Sequence, residues 1–352
     1  MDIGPARRAH MEVRPGAWRC DELLPWTACT TVIHREFEVT MSVLICGSLA
    51  YDTIMVYSGQ FKNAILPDKV HILNVSFLVP EMRREFGGCA GNIAYNLKLL
   101  GGEALPMGTV GRDFDSYALW LDQQGINRDH VRQINSAWTA QAYITTDLDD
   151  NQITAFHPGA MNLAHTQDVP SAGIRLGSVS PDGRDGMLLH ARQFQEAGVP
   201  FLFDPGQGLP MFNGDELKAF IEQASYVAVN DYEAELLVDR TGWTLKQIAE
   251  RVEALIVTRG GKGSHILTAG KTLEIPVAKA ESLADPTGCG DAYRGGLLFG
   301  IARGFDWETS GRIASLMGAI KIERPGTQNH RFTLDEFRER YAREFRTTLD
   351  GL

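Results

Sequence analysis

Short apolar runs alternate with longer amphipathic segments over most of this chain. Runs of the length of a buried strand occur at residues 43–47, 104–110, 174–179, 200–204, 226–229, 254–258 and 264–268. Apolar positions at helical spacing predict helices over residues 90–101, 114–125, 185–197, 215–224, 231–240, 244–251, 291–303 and 307–322. The alternation predicts an α/β fold, in which helices cover both faces of a mostly parallel sheet.

Two stretches interrupt this alternation with β-prone residues. Residues 50–80 contain the run Val70 to Val75, and residues 137–157 contain the run Tyr143 to Thr146. Both stretches lie between predicted α/β units. We therefore predict that they form a small β-sheet lid over the end of the main sheet.

The first 40 residues differ from the rest because they show no clear periodicity. We predict that residues 1–40 are a poorly ordered extension, or that Met41 is the natural first residue, and that the folded domain covers residues 41–346. A transit peptide is disfavoured because the segment carries acidic residues, namely Asp2, Glu12, Asp21 and Glu22.

Composition and charge exclude several classes of protein. Of the 352 residues, 44% are hydrophobic and 22% are charged, which is ordinary for a soluble globular protein. The net charge of −10 argues against a nucleic-acid partner and against an anionic membrane surface. The five cysteines show no metal-binding spacing, and neither a spanning segment nor a secretory signal is visible, so we expect a cytoplasmic protein with reduced thiols.

The glycine-rich turn before the predicted helix 291–303 carries the strongest chemical signal. Gly288, Cys289 and Gly290 run directly into Asp291. Backbone amides at such a turn converge at a helix N-terminus and favour an anion. A carboxylate beside an anion site suits phosphoryl transfer to a hydroxyl, because it can accept the hydroxyl proton. An ordinary turn with a helix cap is the alternative.

Other polar residues follow predicted strands. Asp52 comes soon after the first strand and suits hydroxyl groups, although a turn Asp would look the same. Gly87 and Gly88 permit close approach to a ligand near Asn92, or form only a strand-to-helix turn. Two further patterns follow predicted strands. Asn230 to Glu233 could be only a helix cap, and Thr258 to Gly263 could be only a hairpin turn.

These motifs in this order resemble the PfkB (ribokinase-like) family of carbohydrate and nucleoside kinases, over roughly Met41 to Arg346. Three segments are most similar in sequence to bacterial adenosine or purine-nucleoside kinases: Arg84–Ala94, Phe156–Met161 and Asp204–Gly208. The resemblance implies a three-layer α/β/α fold with a β-sheet lid. A Walker P-loop and a dinucleotide fingerprint are both absent from the sequence, which disfavours other nucleotide-binding classes.

The resemblance also implies roles for particular residues. Asp291 would be the catalytic base, and the amides of Gly288, Cys289 and Gly290 the anion hole. The ribose would be held by Asp52, Gly87, Gly88 and Asn92. ATP and Mg²⁺ would be bound through Asn230, Glu233, Thr258, Gly260 and Gly263. A monovalent cation such as K⁺ would be bound at Asp285 and Thr287, and Arg324–Asn329 would lie near the adenine pocket.

The substrate class and several other points stay open at this stage. A sugar kinase for ribose, fructose or a keto-deoxy acid would use the same motifs, whereas a nucleoside kinase needs an apolar slot for the base, for which Tyr143 and Phe156 are candidates. A binding protein without catalysis is disfavoured by the intact Asp291. We expect a monomer or homodimer, and a reactive thiol of lowered pKa at Cys289.

Overall fold

The computed structural model describes residues 42–65, 72, 74–149, 151–170 and 172–352. The predicted extension, Met41 and much of the β-prone run at 70–75 lie outside the described residues. The described strands are β1 Ser42–Cys46, β2 Ala50–Val56, β3 Glu81–Gly87, β4 Glu103–Gly111, β5 Val131–Ile134, β6 Ala140–Thr146, β7 Gln152–His157, β8 Leu176–Val179, β9 Phe201–Phe203, β10 Tyr226–Asn230, β11 Ala254–Thr258, β12 Ser264–Thr268 and β13 Lys271–Ile275.

The described α-helices are α1 Phe61–Ala64, α2 Cys89–Leu99, α3 Asp115–Gln123, α4 Arg184–Glu196, α5 Gly214–Gln223, α6 Asp231–Thr241, α7 Leu245–Ala249, α8 Cys289–Ala302, α9 Trp307–Ile322 and α10 Leu334–Phe345. Shorter 3₁₀ helices occur at Gly159–Thr166, Gly206–Met211 and Gly260–Lys262. Among the helices that the structure describes, none is both long and apolar enough to cross a membrane.

The main sheet has nine strands in the order β13-β12-β11-β10-β9-β8-β1-β4-β5. Every pairing from β11 across to β5 is parallel, and only the hairpin strands β12 and β13 at one edge are antiparallel. The predicted mostly parallel sheet is therefore confirmed. Its central strands are apolar on both faces because both faces are covered by helices.

Strand β1 shows how the two covered faces arise from one sequence. Val43 and Ile45 point into the core that contains residues of α2, α8 and α9, whereas Leu44 and Cys46 point into the core that contains residues of α4 and α5. Successive side chains of a strand alternate between faces, so a continuous apolar run is needed to fill both layers. The structure is thus a three-layer α/β/α arrangement.

The second sheet is the predicted lid, with the strand order β3-β2-β6-β7. Strand β2 pairs antiparallel with β3 and parallel with β6, and β6 pairs antiparallel with β7. The prediction that 50–80 and 137–157 form the lid was wrong at one boundary. The lid also contains β3, Glu81–Gly87, which lies just beyond residue 80. Its first four residues are exposed and three of them are charged, namely Glu81, Arg83 and Arg84, so no apolar run marks this strand.

The other missed elements are short or highly polar. Strand β5 has four residues, and β13 is an exposed edge strand with a single buried residue, Ile275. Helix α10 buries only Phe337 and Tyr341 and is otherwise rich in charged residues. These segments bury little surface, so their hydrophobic pattern is weak.

Candidate active site

A cavity of about 790 Å³ lies between the lid and the carboxyl ends of the main-sheet strands. It is lined by residues that follow or end five parallel strands: Ser48 after β1, Asp182 after β8, Asp204 after β9, Asn230 in β10 and Thr258 in β11. Open α/β sheets bind ligands at this edge, because the loops after the strands converge there. The N-termini of α2 and α8 complete the floor.

Asp291 lies in the first turn of α8 and faces this cavity. Its Oδ2 accepts a hydrogen bond of 2.8 Å from Nδ2 of Asn92 on α2. The two helices can approach closely because a Cβ on Gly295 would lie only 2.6 Å from Cβ of Asn96. Burial raises the pKa of Asp291 to about 7, and the hydrogen bond from Asn92 opposes this rise.

The turn before α8 presents backbone amides to the same cavity. Gly288 has a positive φ of 77° and caps the helix. The Cys289 amide donates to the carbonyl of Pro286 over 3.2 Å. Among the residues that the structure describes, the amides of Gly288 and Gly290 donate to no acceptor. Two of the three predicted anion-hole amides are therefore free to bind a ligand, and the Cys289 amide closes the turn.

A buried network holds Asn92 in place. Nε2 of Gln328 donates to Oδ1 of Asn92 over 2.9 Å and to the hydroxyl of Tyr117 over 2.7 Å. Oε1 of Gln328 accepts a hydrogen bond of 2.8 Å from Nε1 of Trp120. The orientation of the Asn92 amide is thus fixed, with its NH₂ group toward Asp291.

Gln328 belongs to the segment Arg324–Asn329, which the resemblance placed near the adenine pocket. In the structure this segment binds the end of lid strand β3. Thr327 Oγ1 donates to the carbonyl of Phe86 over 2.6 Å, and Asn329 Nδ2 donates to Oε2 of Glu85 over 2.8 Å. The segment therefore connects the lid to the floor of the cavity.

Asp52 and the two glycines lie on the lid side of the cavity. Asp52 is not in a loop after β1 but in the lid strand β2, opposite Glu85 of β3. A Cβ on Gly87 would lie 2.6 Å from Oδ2 of Asp52, so only glycine leaves room for this carboxylate. Gly88 begins α2 with a φ of 85°. Burial, together with the charges of Glu85 and Asp285, raises the pKa of Asp52 to about 6.

The pleat of the lid decides which side chains face the ligand. Asp52, Ala142 and Phe156 stand in one row across β2, β6 and β7, and all three line the cavity. Tyr143 belongs to the opposite face and does not line the cavity. The prediction of Tyr143 as a base-slot residue was therefore wrong, because adjacent strand residues point to opposite faces. Ile144 lines the cavity instead.

Asn230 and Glu233 form a capping box at the start of α6. Oδ1 of Asn230 accepts from the Glu233 amide over 2.7 Å, and Oε2 of Glu233 accepts from the Asn230 amide over 2.8 Å. Both residues also line the cavity. Burial raises the pKa of Glu233, and the nearby charge of Asp204 raises it further. The motif is thus a helix cap whose polar atoms also reach the cavity.

The segment Thr258 to Gly263 joins β11 to β12 as a hairpin. Thr258 lines the cavity at the end of β11. Gly260 and Gly263 have positive φ angles of 52° and 78°, and neither lines the cavity. Of these three predicted residues, only Thr258 is therefore in reach of a ligand bound there.

Asp285 and Thr287 lie in the turn that precedes Gly288. The carboxylate of Asp285 accepts from the Thr287 amide and from the Gly326 amide, each over 2.9 Å. The carbonyl oxygen of Asp285 accepts a hydrogen bond of 2.7 Å from Nζ of Lys321. These amide hydrogen bonds lower the pKa of Asp285 against the opposing effect of burial.

The thiol of Cys289 differs from the prediction. Burial raises its pKa to about 11, and Asp285 and Asp291 raise it further, while Lys321 lowers it. The expected lowering at a helix N-terminus was therefore wrong. A thiolate here would lie between two carboxylates in a half-buried site, and both conditions disfavour its charge.

Residues 49–333 match the family of pfkB carbohydrate kinases. The chain belongs to the pfkB family. The resemblance drawn from the motifs is thereby confirmed, and this match covers the whole lid sheet and every residue that lines the cavity except Ser48.

Solved structures of related pfkB proteins have the same fold. A nucleoside kinase from Burkholderia thailandensis in complex with inosine is 54% identical with a TM-score of 0.80, over 88% of this chain and 100% of that one. A second structure of the same kinase, in complex with ADP-inosine, gives a TM-score of 0.77 and covers 88% of this chain and 98% of that one. A Methanocaldococcus jannaschii nucleoside kinase, described as an archaeal member of the ribokinase family, is 32% identical with a TM-score of 0.79, over 86% and 98%. These matches confirm the ribokinase-like fold.

Two residues of the pfkB site had no role in the sequence predictions. Arg294 on α8 donates from Nε and Nη2 to Oδ1 of Asp204, at 3.1 and 3.0 Å, and both side chains are buried beside the cavity. The Arg294 charge opposes the rise in the pKa of Asp291. An arginine inside the apolar run of α8 was the available signal, because an arginine is rarely buried without a partner.

Proposed function

We propose that this pfkB kinase transfers the γ-phosphoryl group of ATP to the 5′-hydroxyl of a nucleoside. The observation that carries the proposal is the pair of Asp291 and Asn92 beside the free amides of Gly288 and Gly290. A base and an anion hole at one point are what an in-line phosphoryl transfer to a hydroxyl needs.

The proton of the hydroxyl would go to the carboxylate of Asp291. A pKa of about 7 leaves this group largely ionised at slightly alkaline pH and makes it a stronger base than an ordinary aspartate. As the oxygen attacks the γ-phosphorus, the amides of Gly288 and Gly290 would stabilise the negative charge on the transferring group. The hydrogen bond from Asn92 would keep the carboxylate aimed at the hydroxyl.

The ribose would lie between the lid and the start of α2. The Asp52 carboxylate can accept hydrogen bonds from two neighbouring hydroxyl groups. Gly87 keeps the space beside this carboxylate open, and Gly88 allows the backbone to approach the sugar. Because both glycines precede α2, the same loop that holds the sugar also sets the position of Asn92.

Mg²⁺ fits the polar groups at the other end of the cavity. Asn230, Glu233 and Asp204 supply oxygen atoms there, and oxygen donors are what Mg²⁺ prefers. Within the described residues no cluster of three or more acidic, histidine or cysteine side chains forms a complete metal cage. A metal held by few side chains keeps waters and binds phosphate oxygens, where it neutralises the charge of the triphosphate. Asn230 and Glu233 would hold it through those waters.

The lid favours a nucleoside over a free sugar. Ala142, Ile144 and Phe156 present an apolar surface next to Asp52, and Met161 lines the cavity as well. An apolar surface suits a nucleobase, whereas a free sugar needs more polar partners. The related Burkholderia thailandensis kinase was solved with inosine, which agrees with this choice. A sugar kinase is the second candidate because the Asp291 end of the site would serve both substrates.

The test is ADP formation with Mg²⁺ and a panel of adenosine, inosine, guanosine, cytidine, ribose and fructose. We expect turnover with nucleosides, and a kcat lower by about 10²–10⁴-fold in Asp291→Asn. Asp115→Asn is the matched control, since Asp115 stands in the first turn of α3 and is exposed away from the cavity. Turnover of free sugars alone would establish the second candidate.

A further inference from the structure

Lys321 is a buried lysine that the proposed reaction does not use. It lies in the last turn of α9, and its relative exposure is 0%. Its Nζ donates to two backbone carbonyls, that of Asp285 at 2.7 Å and that of Arg324 at 3.3 Å. Lysine is almost never fully buried without a specific partner, so this ammonium group has a defined structural task.

The two carbonyls belong to the two segments that shape the anion-binding turn. Asp285 begins the turn that ends at Gly290, and Arg324 begins the segment that carries Thr327 and Gln328. The carboxylate of Asp285 links the same segments by accepting from the amides of Thr287 and Gly326. The ammonium therefore sits where one positive charge holds both segments together.

The neighbouring histidine adds no second positive charge beside Lys321. His330 is buried, and its Nε2 is 2.8 Å from Oδ1 of Asn96, which only accepts, so the proton is on Nε2. Burial and the charge of Lys321 lower the pKa of His330 to about 3, which keeps the ring neutral. Its Nδ1 has no hydrogen-bond partner among the described residues. The negative end of the α9 dipole also favours a positive charge at this point.

We propose that the ammonium group of Lys321 takes the place of the monovalent cation expected at Asp285 and Thr287, so that the anion-binding turn keeps its shape without K⁺. An ammonium group and K⁺ carry the same charge, and backbone carbonyl oxygens bind both. Both carboxylate oxygens of Asp285 already accept an amide, and its carbonyl accepts Lys321. Lys321 is therefore a positioning residue for the amides of Gly288 and Gly290.

The inference rests on the proposed kinase function only for its activity measurement. The full-length protein is assayed with the chloride of K⁺, Na⁺ or tetramethylammonium at equal ionic strength. We expect the wild-type kcat to change by less than about twofold, because each cation would leave Lys321 in place. Lys321→Met removes the charge at similar volume and is expected to lower kcat about tenfold or more. K⁺ or NH₄⁺, but not tetramethylammonium, should restore part of that loss.

Thermal unfolding tests the same point without substrate. K⁺ should raise the melting temperature of Lys321→Met and leave that of the wild type unchanged, because a cation that binds only the folded state stabilises it. Lys246→Met is the matched control, since the Lys246 side chain is 85% exposed on α7. This measurement keeps its meaning if the proposed substrate class is wrong.

Three results would overturn the proposal. The first is a several-fold activation of the wild type by K⁺ over tetramethylammonium, which needs no variant and so does not depend on folding of Lys321→Met. The second is full activity of Lys321→Met without K⁺. The third is a folded, inactive Lys321→Met that neither K⁺ nor NH₄⁺ reactivates, because Lys321 would then act only in packing.

Discussion

Nδ2 of Asn92 donates to Oδ2 of Asp291 over 2.8 Å, although the two residues are 199 positions apart in the chain. The contact joins the N-terminal turns of α2 and α8. Each of these helices begins at a glycine with a positive φ, and each carries one half of the pair. The orientation of the proposed base therefore depends on how the two helices pack.

Activity should depend on pH through Asp291. Its pKa of about 7 means that the carboxyl is protonated, and unable to accept a proton, at lower pH. We expect kcat/KM to fall about tenfold for each pH unit well below 7 and to reach a plateau above about 8. The measurement is initial rates over a series of buffers. A plateau that extends unchanged to pH 5 would contradict the assignment.

The stability of the fold should also depend on the ionisation of Asp291. It should be greater at low pH, where activity is low. An aspartate in an unfolded chain has a pKa of about 3.9, so the raised value in the fold means that protonation of Asp291 favours the folded state. This stabilisation is present below pH 4 and is lost as the pH rises through about 7. Asp291→Asn should therefore melt at a higher temperature than the wild type at pH 8, and the difference should shrink toward pH 4.

Gln328 should affect catalysis without touching a ligand. It fixes Asn92 through Nε2, and Trp120 and Tyr117 fix it in turn. Gln328→Leu leaves Asn92 free to rotate, so we expect kcat to fall about tenfold with little change in KM. Gln328→Glu serves as the companion variant, because its carboxyl can still accept from Trp120 but, when ionised, cannot donate to Asn92. We expect the kcat of Gln328→Glu to fall as far as that of Gln328→Leu. A wild-type kcat in both variants would show that Gln328 does not position Asn92 for catalysis.

The two faces of the lid offer a matched pair of variants. Phe156 faces the cavity and Tyr143 faces away from it, and both side chains are about half exposed. Phe156→Ala should raise KM for the nucleoside about tenfold through lost contact with the base, while Tyr143→Ala should change it by less than about twofold. Steady-state kinetics with one nucleoside would decide. Equal effects of the two substitutions would mean that the base does not contact the lid.

The thiol of Cys289 should react slowly at neutral pH. Its pKa of about 11 leaves very little thiolate there, and thiolate is the reactive form. We expect iodoacetamide to leave activity almost unchanged at pH 7 and to inactivate faster as the pH rises. Rapid inactivation at pH 7 that is absent in Cys289→Ala would contradict the raised pKa.

Local patterns were sufficient for much of this protein. The apolar runs predicted β1, β4, β8 to β12 and the helices that cover them, because a strand buried on both faces needs a continuous apolar sequence. The motif ending at Asp291 predicted the glycine turn at the start of α8, since glycines at such a turn are a local requirement. Weakly buried elements such as β3 and α10 were not predicted, because few of their residues are buried and their apolar pattern is weak.

Only the tertiary structure decided how distant residues combine. Tyr143 and Phe156 look alike in the sequence, and the register of β6 against β7 determines that only Phe156 faces the cavity. Gln328, Arg294 and Lys321 are polar residues in separate segments. Their partners Asn92, Asp204 and Asp285 are distant in the chain and are brought to them by the packing of helices on one another and on the main sheet. A buried polar group must find its partner wherever the fold places one, so its role depends on long-range packing that no local pattern records.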